Sequence, residues 1–241
     1  MAVDAAGDFA AQIWAVRYRV ETAASLRFAA LSQGMSAAGA PGTLVDLAAR
    51  ASADETRHAR HCADILRSRG AEVPPPETRL MFFGPRDLGP EQRLTYEVVA
   101  QSCISETESM AILVTLLDAA SDAHLKAVIQ ELTRDEVQHA RLGWAYLAWA
   151  RKRLDLSFLS AFLPAMATAS TGADLFQPGP PDADDPALLR SGVVPKRDRR
   201  RIYLETLHSV VIPGFEEFRI DTGPLRQWAE DKQRVVDALE A

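Results

Sequence analysis

The septet Asp-Glu-x-x-His-Ala-Arg occurs twice in this chain, at residues 54–60 and again at residues 135–141. Both copies lie in stretches whose apolar residues recur at the spacing of an α-helix. Residues three apart share one face of a helix, so the Glu and the His of each copy point the same way. That face is otherwise apolar and must turn toward the core. The pattern therefore predicts buried ionisable groups, whose burial is costly unless a partner neutralises them.

Helix-breaking residues divide the chain into four long helices and a C-terminal part. The predicted long helices cover about residues 8–35, 44–69, 90–117 and 125–152. Thr43 is the expected N-cap of the second helix, and Pro90 suits the first turn of the third. The prolines at 74–76 exclude regular helix between these two. No segment has the alternation of a β-strand, so the predicted fold class is all-α.

The C-terminal part has a weaker helical pattern. A short helix is expected in "LSFLSAFLPAMATA", a loop in "GADLFQPGPPDADDP", and a further helix that begins near Pro195. We expect a four-helix bundle over residues 1–153 and a helical extension over residues 154–241 that packs on it.

Glutamates on the other two long helices match the two septets in position. Glu21 and Glu106 lie on the apolar faces of the first and third helices. The midpoint of Glu21 and Glu55 falls in the break "SAAGAPG", and that of Glu106 and Glu136 falls in the break "DAASDAH". Residues equidistant from the turn of an antiparallel hairpin stand at the same height, here about 22–25 Å from the turn. Each hairpin is therefore predicted to place a Glu opposite a Glu-x-x-His, with Glu108 as an alternative to Glu106.

Together the two hairpins would supply four carboxylates and two imidazoles to one site. The candidate metal-ligating and catalytic residues are Glu21, Glu55, His58, Glu106, Glu136 and His139. Such a donor set inside a helix bundle is typical of a di-iron or di-manganese carboxylate site. Carboxylate oxygens suit these hard ions, and imidazole raises the affinity. A metal-free network of ion pairs is the alternative interpretation.

These motifs resemble those of the ferritin-like superfamily over about residues 8–152. The resemblance implies a ferritin-like four-helix bundle in which one long crossover, here residues 71–90, joins the second and third helices. It also implies two bound iron ions, with manganese possible. Glu55 and Glu136 would bridge the two ions, while the two remaining glutamates would each bind one.

The resemblance also assigns a role to the residue before each motif glutamate. In the oxidases of the superfamily, an aspartate at this position hydrogen-bonds a ligand histidine. It implies that Asp54 and Asp135 orient the histidines of this chain.

The expected function is that of a non-haem di-iron oxidase or oxygenase. Such a protein activates O2 to hydroxylate, N-oxygenate or desaturate a small organic substrate, with electrons from an external donor. Roughly 85 residues follow the fourth helix, and their aromatic side chains are numerous enough to close a substrate pocket. A ferroxidase or a peroxide-reducing protein of the ferritin or rubrerythrin type is the alternative, although rubrerythrins proper carry paired CxxC motifs that this chain lacks. A tRNA-hydroxylase-like di-iron enzyme is a second alternative.

Charge and composition narrow the partners and the location. A net charge of -6 on 241 residues is not typical of a general nucleic-acid binder, and the run "PKRDRRR" is expected to be a solvated helix start. The two cysteines form no disulfide framework, no signal peptide is recognisable, and no apolar run reaches the length of a membrane span. We therefore expect a cytoplasmic monomer or homodimer without a membrane or nucleic-acid partner.

Overall fold

The computed structural model describes residues 5–82, 84–120, 122–172 and 174–241. These residues form α-helices with shorter 3-10 and π segments and no β-strand, so the all-α prediction is confirmed. The helices are α1 (Ala5–Ala37), α2 (Gly42–Ser68), α3 (Pro90–Val98), α4 (Glu106–Leu116), α5 (Ala123–Ala150), α6 (Leu163–Thr171), α7 (Lys196–Thr206), α8 (Ile212–Glu217) and α9 (Gly223–Glu240).

Two helical hairpins make up the bundle. The first pairs α1 with α2, and the second pairs α5 with a long helix made of α3, a π-helical segment (Val99–Ser105) and α4. The two hairpins meet where α2 packs against α5. A crossover joins the end of α2 to Pro90, and its described residues, 69–82 and 84–89, form no helix. No helix among the described residues is long and apolar enough to span a membrane.

The predicted ends of the four long helices agree with the structure within three residues. Two details differ. Thr43 is not an N-cap, because α2 already begins at Gly42 behind the rigid φ of Pro41. The third long helix is not a continuous α-helix, since the π segment interrupts it. Residue 121, at the centre of the second predicted break, lies outside the described residues.

The C-terminal segment shares its hydrophobic core with the bundle. Helix α6 packs on the π segment, and α7 packs on α4. A 3-10 turn (Pro186–Ser191) lies on α1, where the indole N–H of Trp14 donates to the carbonyl oxygen of Ser191 at 2.9 Å. Gly192 follows with φ +73°, and a Cβ there would lie 2.9 Å from the Trp14 ring. Because Gly192 has no side chain, the backbone of this segment packs directly against Trp14 of the first helix.

Helix α9 was not anticipated from the sequence. Its buried residues Leu225, Ala229 and Val236 fall on one narrow stripe, and the helix contacts α6 and α7. These residues recur at helical spacing, so the amphipathic pattern of this helix is present in the sequence and could have predicted it.

Candidate metal centre

The six candidate ligands converge at the middle of the bundle. Each of these six residues is at most 5% exposed. Their donor atoms form two overlapping groups, and within each group these atoms lie within 4.8 Å of one another. One group is Glu21, Glu55, His58 and Glu136, and the other is Glu55, Glu106, Glu136 and His139. Glu55 and Glu136 belong to both groups, as carboxylates that bridge two ions would.

The π segment directly precedes Glu106, the first residue of α4. A π turn holds one more residue than an α turn and often occurs at functional sites. Helix α5 approaches this widened turn through Gly143. A Cβ at Gly143 would lie 2.6 Å from the sulfur of Cys103 and 2.9 Å from its backbone nitrogen. The absence of a side chain at this position thus lets α5 come close to the helix that carries Glu106.

Each histidine turns one ring nitrogen to the cluster and the other to an aspartate. Nδ1 of His58 lies 3.3 Å from Glu55 Oε2, and its Nε2 lies 3.1 Å from Asp135 Oδ2. Nδ1 of His139 lies 3.1 Å from Glu55 Oε1, and its Nε2 lies 3.3 Å from Asp54 Oδ2. The contacts cross, because the aspartate of each septet meets the histidine of the other. With Nε2 engaged by a carboxylate, Nδ1 is the nitrogen available to a metal.

An arginine joins the two aspartates on the outer side of the cluster. Nη2 of Arg57 lies 2.9 Å from Asp54 Oδ1 and 2.6 Å from Asp135 Oδ2. Its Nε donates to Glu131 Oε1 at 2.6 Å. The second septet has Gln138 at the position of Arg57, so a single arginine serves both halves.

The two remaining glutamates have different supporting contacts. Glu21 accepts a hydrogen bond from Nε of Arg17 at 2.8 Å. Glu106 accepts one from the side-chain amide of Gln101, whose oxygen in turn accepts from Nε of Arg27 at 2.5 Å. The sequence pattern does not indicate Gln101, because it stands five residues before Glu106. That spacing shares a face in a π turn and not in an α-helix.

Glu108, the alternative to Glu106, lies outside both groups. It is 4% exposed, and its Oε1 accepts two hydrogen bonds from Arg199 of α7, at 3.1 Å from Nε and 2.8 Å from Nη2. The structure therefore brings Glu106 into the cluster and gives Glu108 a separate partner.

Burial and crowding shift the pKa values of the cluster residues in different directions. Burial and the charge of Glu55 raise the pKa of Glu21 to about 8, and burial and Glu136 raise the pKa of Glu106. Burial also opposes ionisation of Glu55, but the adjoining imidazoles, His139 foremost, outweigh it and lower its pKa. Burial lowers the pKa of His58, but the hydrogen bond to Asp135 and the charge of nearby carboxylates outweigh it and raise the pKa to about 10.

The cluster has the features of a metal site. Among the described residues, Glu55 Oε2 and His58 Nδ1 are fully buried without a hydrogen-bond partner. Orphaned buried polar atoms are rare in proteins, and both of these are donor atoms for metals. Two divalent cations would balance the four carboxylates, with the imidazoles as neutral ligands. The donor set therefore fits two ions of the iron or manganese type.

A cavity of about 520 Å³ adjoins the cluster, between α1, α4 and the C-terminal segment. Three cluster carboxylates reach it, namely Glu21, Glu106 and Glu136. Its apolar lining includes Ile13, Trp14, Val16, Val20, Ile112, Leu116, Val193 and Val194. Along α1 the lining residues run from Ile13 to Arg27, a stretch of helix about 20 Å long at about 1.5 Å per residue.

The basic run at the start of α7 makes contacts within the chain. Arg199 pairs with Glu108, as described above. Arg200 is 3% exposed and donates to the backbone oxygens of Leu175 and Gln177. Two of its arginines are therefore engaged by this protein itself.

No protein-family model and no curated protein sequence matches the chain. Among solved structures, it is similar to a protein from Synechococcus described as having aldehyde deformylating oxidase activity. The TM-score is 0.66, the match covers 95% of this chain and 97% of that one, and the sequence identity is 19%. This likeness confirms the ferritin-like fold that the doubled motif predicted.

Proposed function

We propose that the protein is an O2-dependent oxidase whose two-metal centre, most simply di-iron, acts on a small organic substrate. The observation that carries this proposal is the cavity of about 520 Å³ whose wall includes Glu21, Glu106 and Glu136. A site that only stored or transported iron has no need of an organic pocket beside its ligands. Convergence of an apolar pocket and buried titratable groups is the usual arrangement of an enzyme active site.

Each polar residue of the cluster has a role in this proposal. The six candidate ligands would hold the two ions, and Glu55 and Glu136 belong to both groups of donor atoms. Asp54 and Asp135 hold the histidine rings with Nδ1 inward, and Arg57 holds both aspartates. The bound ions supply the redox chemistry that reduces O2.

The cavity wall would position the substrate. Apolar side chains of α1 and α4 form its sides, and the C-terminal segment contributes Ala169, Ser170 and the stretch from Gly192 to Val194. The cavity is partly open to solvent, since Val16 and Val20 on its wall are more than half exposed, so a bound substrate would itself displace water from beside the ligands. Complete reduction of O2 takes four electrons. In hydroxylation or desaturation the substrate provides two and an external donor provides two, whereas deformylation of an aldehyde takes all four from the donor.

The structural neighbour suggests the first substrates to examine. Its described activity is aldehyde deformylation. Linear aldehydes therefore belong in the first substrate panel, beside alkanes, amines and carboxylic acids of similar length. The fold alone does not select among them.

The proposal is tested with iron-loaded protein, a reductant and an oxygen electrode. We expect O2 uptake to depend on an organic substrate and to give one oxidised product per turnover. Light scattering should show a monomer or dimer. A large hollow assembly that takes up O2 with ferrous iron alone and mineralises it would establish iron storage in place of the oxidase.

A filled cavity provides a sharper version of this test. Ile112 lines the cavity without belonging to the cluster, so Ile112→Trp should remove substrate-dependent O2 uptake while both ions remain bound. Val114 lies on the same helix but is 52% exposed and outside the cavity, which makes Val114→Trp the matched control. Equal loss in both variants would contradict the role of the cavity.

A further inference from the structure

The cavity has a polar wall built by the ion pair of Glu108 and Arg199. The two residues come from different parts of the fold, α4 of the bundle and α7 of the C-terminal segment, and both line the cavity. Among the described residues, Arg199 has no hydrogen bond or ion pair with any of the six residues of the cluster. Within the described part of the chain, both hydrogen bonds that it donates go to one atom, Glu108 Oε1. A guanidinium has five N–H donors, so Arg199 keeps donors for a further acceptor.

Arginines outnumber acids on the cavity wall outside the cluster. The arginines are Arg17, Arg19, Arg27 and Arg199, and the acids are Glu77 and Glu108. The four cluster carboxylates are balanced when two divalent ions are bound. The loaded cavity then has two formal positive charges in excess among the residues that line it. Such a field favours an anionic occupant, and low-dielectric walls strengthen it.

The rest of the wall suits an apolar body. Ile13, Val16 and Val20 line it from α1, and Val193 and Val194 line it from the C-terminal segment. A molecule with one anionic group and an aliphatic or aromatic body therefore matches both parts of the wall. A carboxylate fits best, since its two oxygens match the fork of a guanidinium.

We propose that the substrate of this cavity carries a carboxylate, that Arg199 is the residue that binds it, and that Glu108 moderates this affinity by competing for the same guanidinium. This inference rests on the proposed function, because it takes the loaded two-metal centre as given and names the class of molecule that the centre oxidises.

Octanoate and octanamide are suitable probes, because they have the same shape and differ in charge. Titration calorimetry on manganese-loaded protein without reductant measures binding in the absence of turnover. We expect octanoate to bind at least about tenfold more tightly than octanamide, the effect of a hydrogen bond to a charged group.

Substitutions of Arg199 and of Glu108 should change octanoate affinity in opposite directions. Arg199→Gln removes the anchor and should weaken octanoate binding roughly tenfold or more. Glu108→Gln frees the guanidinium and should strengthen octanoate binding several-fold, while octanamide binding stays the same in both variants. A purely structural ion pair predicts a loss in both variants, for both probes. Arg201 lies on the same helix with its side chain 69% exposed, so Arg201→Gln is the matched control.

Each alternative outcome has a clear meaning. Equal affinity for the two probes in the native protein overturns the anionic substrate class. Unchanged octanoate binding in both variants places the carboxylate elsewhere, for example on the ions, and overturns the role of Arg199. The O2 uptake and metal content of the same preparation report separately on the proposed function. If two ions bind and O2 uptake occurs without a preference for octanoate, the proposed oxidase function is supported and the carboxylate substrate is not. If octanoate is preferred but no O2 uptake occurs, carboxylate binding is supported and the oxidase function is not.

Discussion

The two hairpins of the bundle contribute the same ligands but support them differently. Each supplies one glutamate and one Glu-x-x-His motif. In the first hairpin, the lone glutamate Glu21 lies within the uninterrupted α-helix α1 and accepts a hydrogen bond from a charged arginine, Arg17. In the second, Glu106 follows a π segment and is held by a neutral amide, Gln101.

This difference separates what a two-metal site requires from what tunes it. The shared part is the donor set, which both halves must provide at the same height. The unshared part is the outer contacts, which place a full positive charge next to Glu21 and a dipole next to Glu106. A nearby cation withdraws electron density from a ligand carboxylate, so the two metal positions should be chemically unequal.

Removal of the two shared carboxylates should have the largest effect. Because Glu55 and Glu136 belong to both groups, Glu55→Ala with Glu136→Ala should abolish metal binding, measured by elemental analysis of dialysed protein. Circular dichroism should show a nearly unchanged helical content, since each helix buries many other residues.

Glu21→Ala is the comparison for this double variant. It leaves the group that contains His139 complete, so it should retain one ion. Full occupancy in the double variant would contradict the assignment of the ligands.

The crossed aspartate contacts give the next largest effect. Asp54→Asn should weaken metal affinity roughly 10–100-fold, the usual cost of losing a partner of a ligand histidine. Because Asp54 contacts His139, the effect of Asp54→Asn on metal affinity should vanish when His139 is already replaced by Ala. The effect should persist when His58 is replaced by Ala. Metal titrations arranged as double-mutant cycles measure this coupling. The reverse dependence would mean that each aspartate serves the histidine of its own septet.

Adding a methyl group at the π segment, in the second hairpin, should lower the free energy of unfolding, whereas the same change at a glycine of the first hairpin should not. The added methyl group of Gly143→Ala would press on Cys103, and we expect it to destabilise the fold by about 1–3 kcal/mol. Urea denaturation measures this change. Gly42 has no atom within 4 Å of a built Cβ, so Gly42→Ala should be neutral or slightly stabilising. Similar changes in the free energy of unfolding in the two variants would show that the close contact of Gly143 with Cys103 does not determine stability.

The smallest effect is expected for the shared arginine. Arg57 has a side chain that is 38% exposed, and surface ion pairs contribute about 0–1 kcal/mol. Arg57→Gln should therefore lower metal affinity only a few-fold, and less so at high salt. Arg60 belongs to the same septet and is exposed, so Arg60→Gln should leave metal affinity unchanged. A large loss that is insensitive to salt would give Arg57 a stronger role in holding the two halves together.

The inner donor set could be predicted from the sequence for a geometric reason. Helical spacing fixes which side chains share a face, and distance from a turn fixes their height, so Glu21, Glu55 and Glu136 could be matched without coordinates. Glu106 could not be separated fully from Glu108, because the π segment shifts the faces of the third helix. The same shift concealed Gln101.

Contacts between elements distant in sequence could not be predicted. The crossing of Asp54 to His139 depends on how α2 packs against α5, which no local pattern encodes. The pairing of Glu108 with Arg199 spans 91 residues and depends on where the C-terminal segment folds back. The sequence indicated that this segment could close a pocket, but not which of its residues would line it.

The central claim is that two half-sites form one coupled two-metal centre. Mössbauer spectroscopy of iron-loaded, air-oxidised protein at low temperature in an applied field tests it most directly. Carboxylates shared between two ions couple the ion spins, so we predict about two iron ions per chain with a diamagnetic ground state. Magnetically isolated ferric ions, or a single ion per chain, would contradict the account.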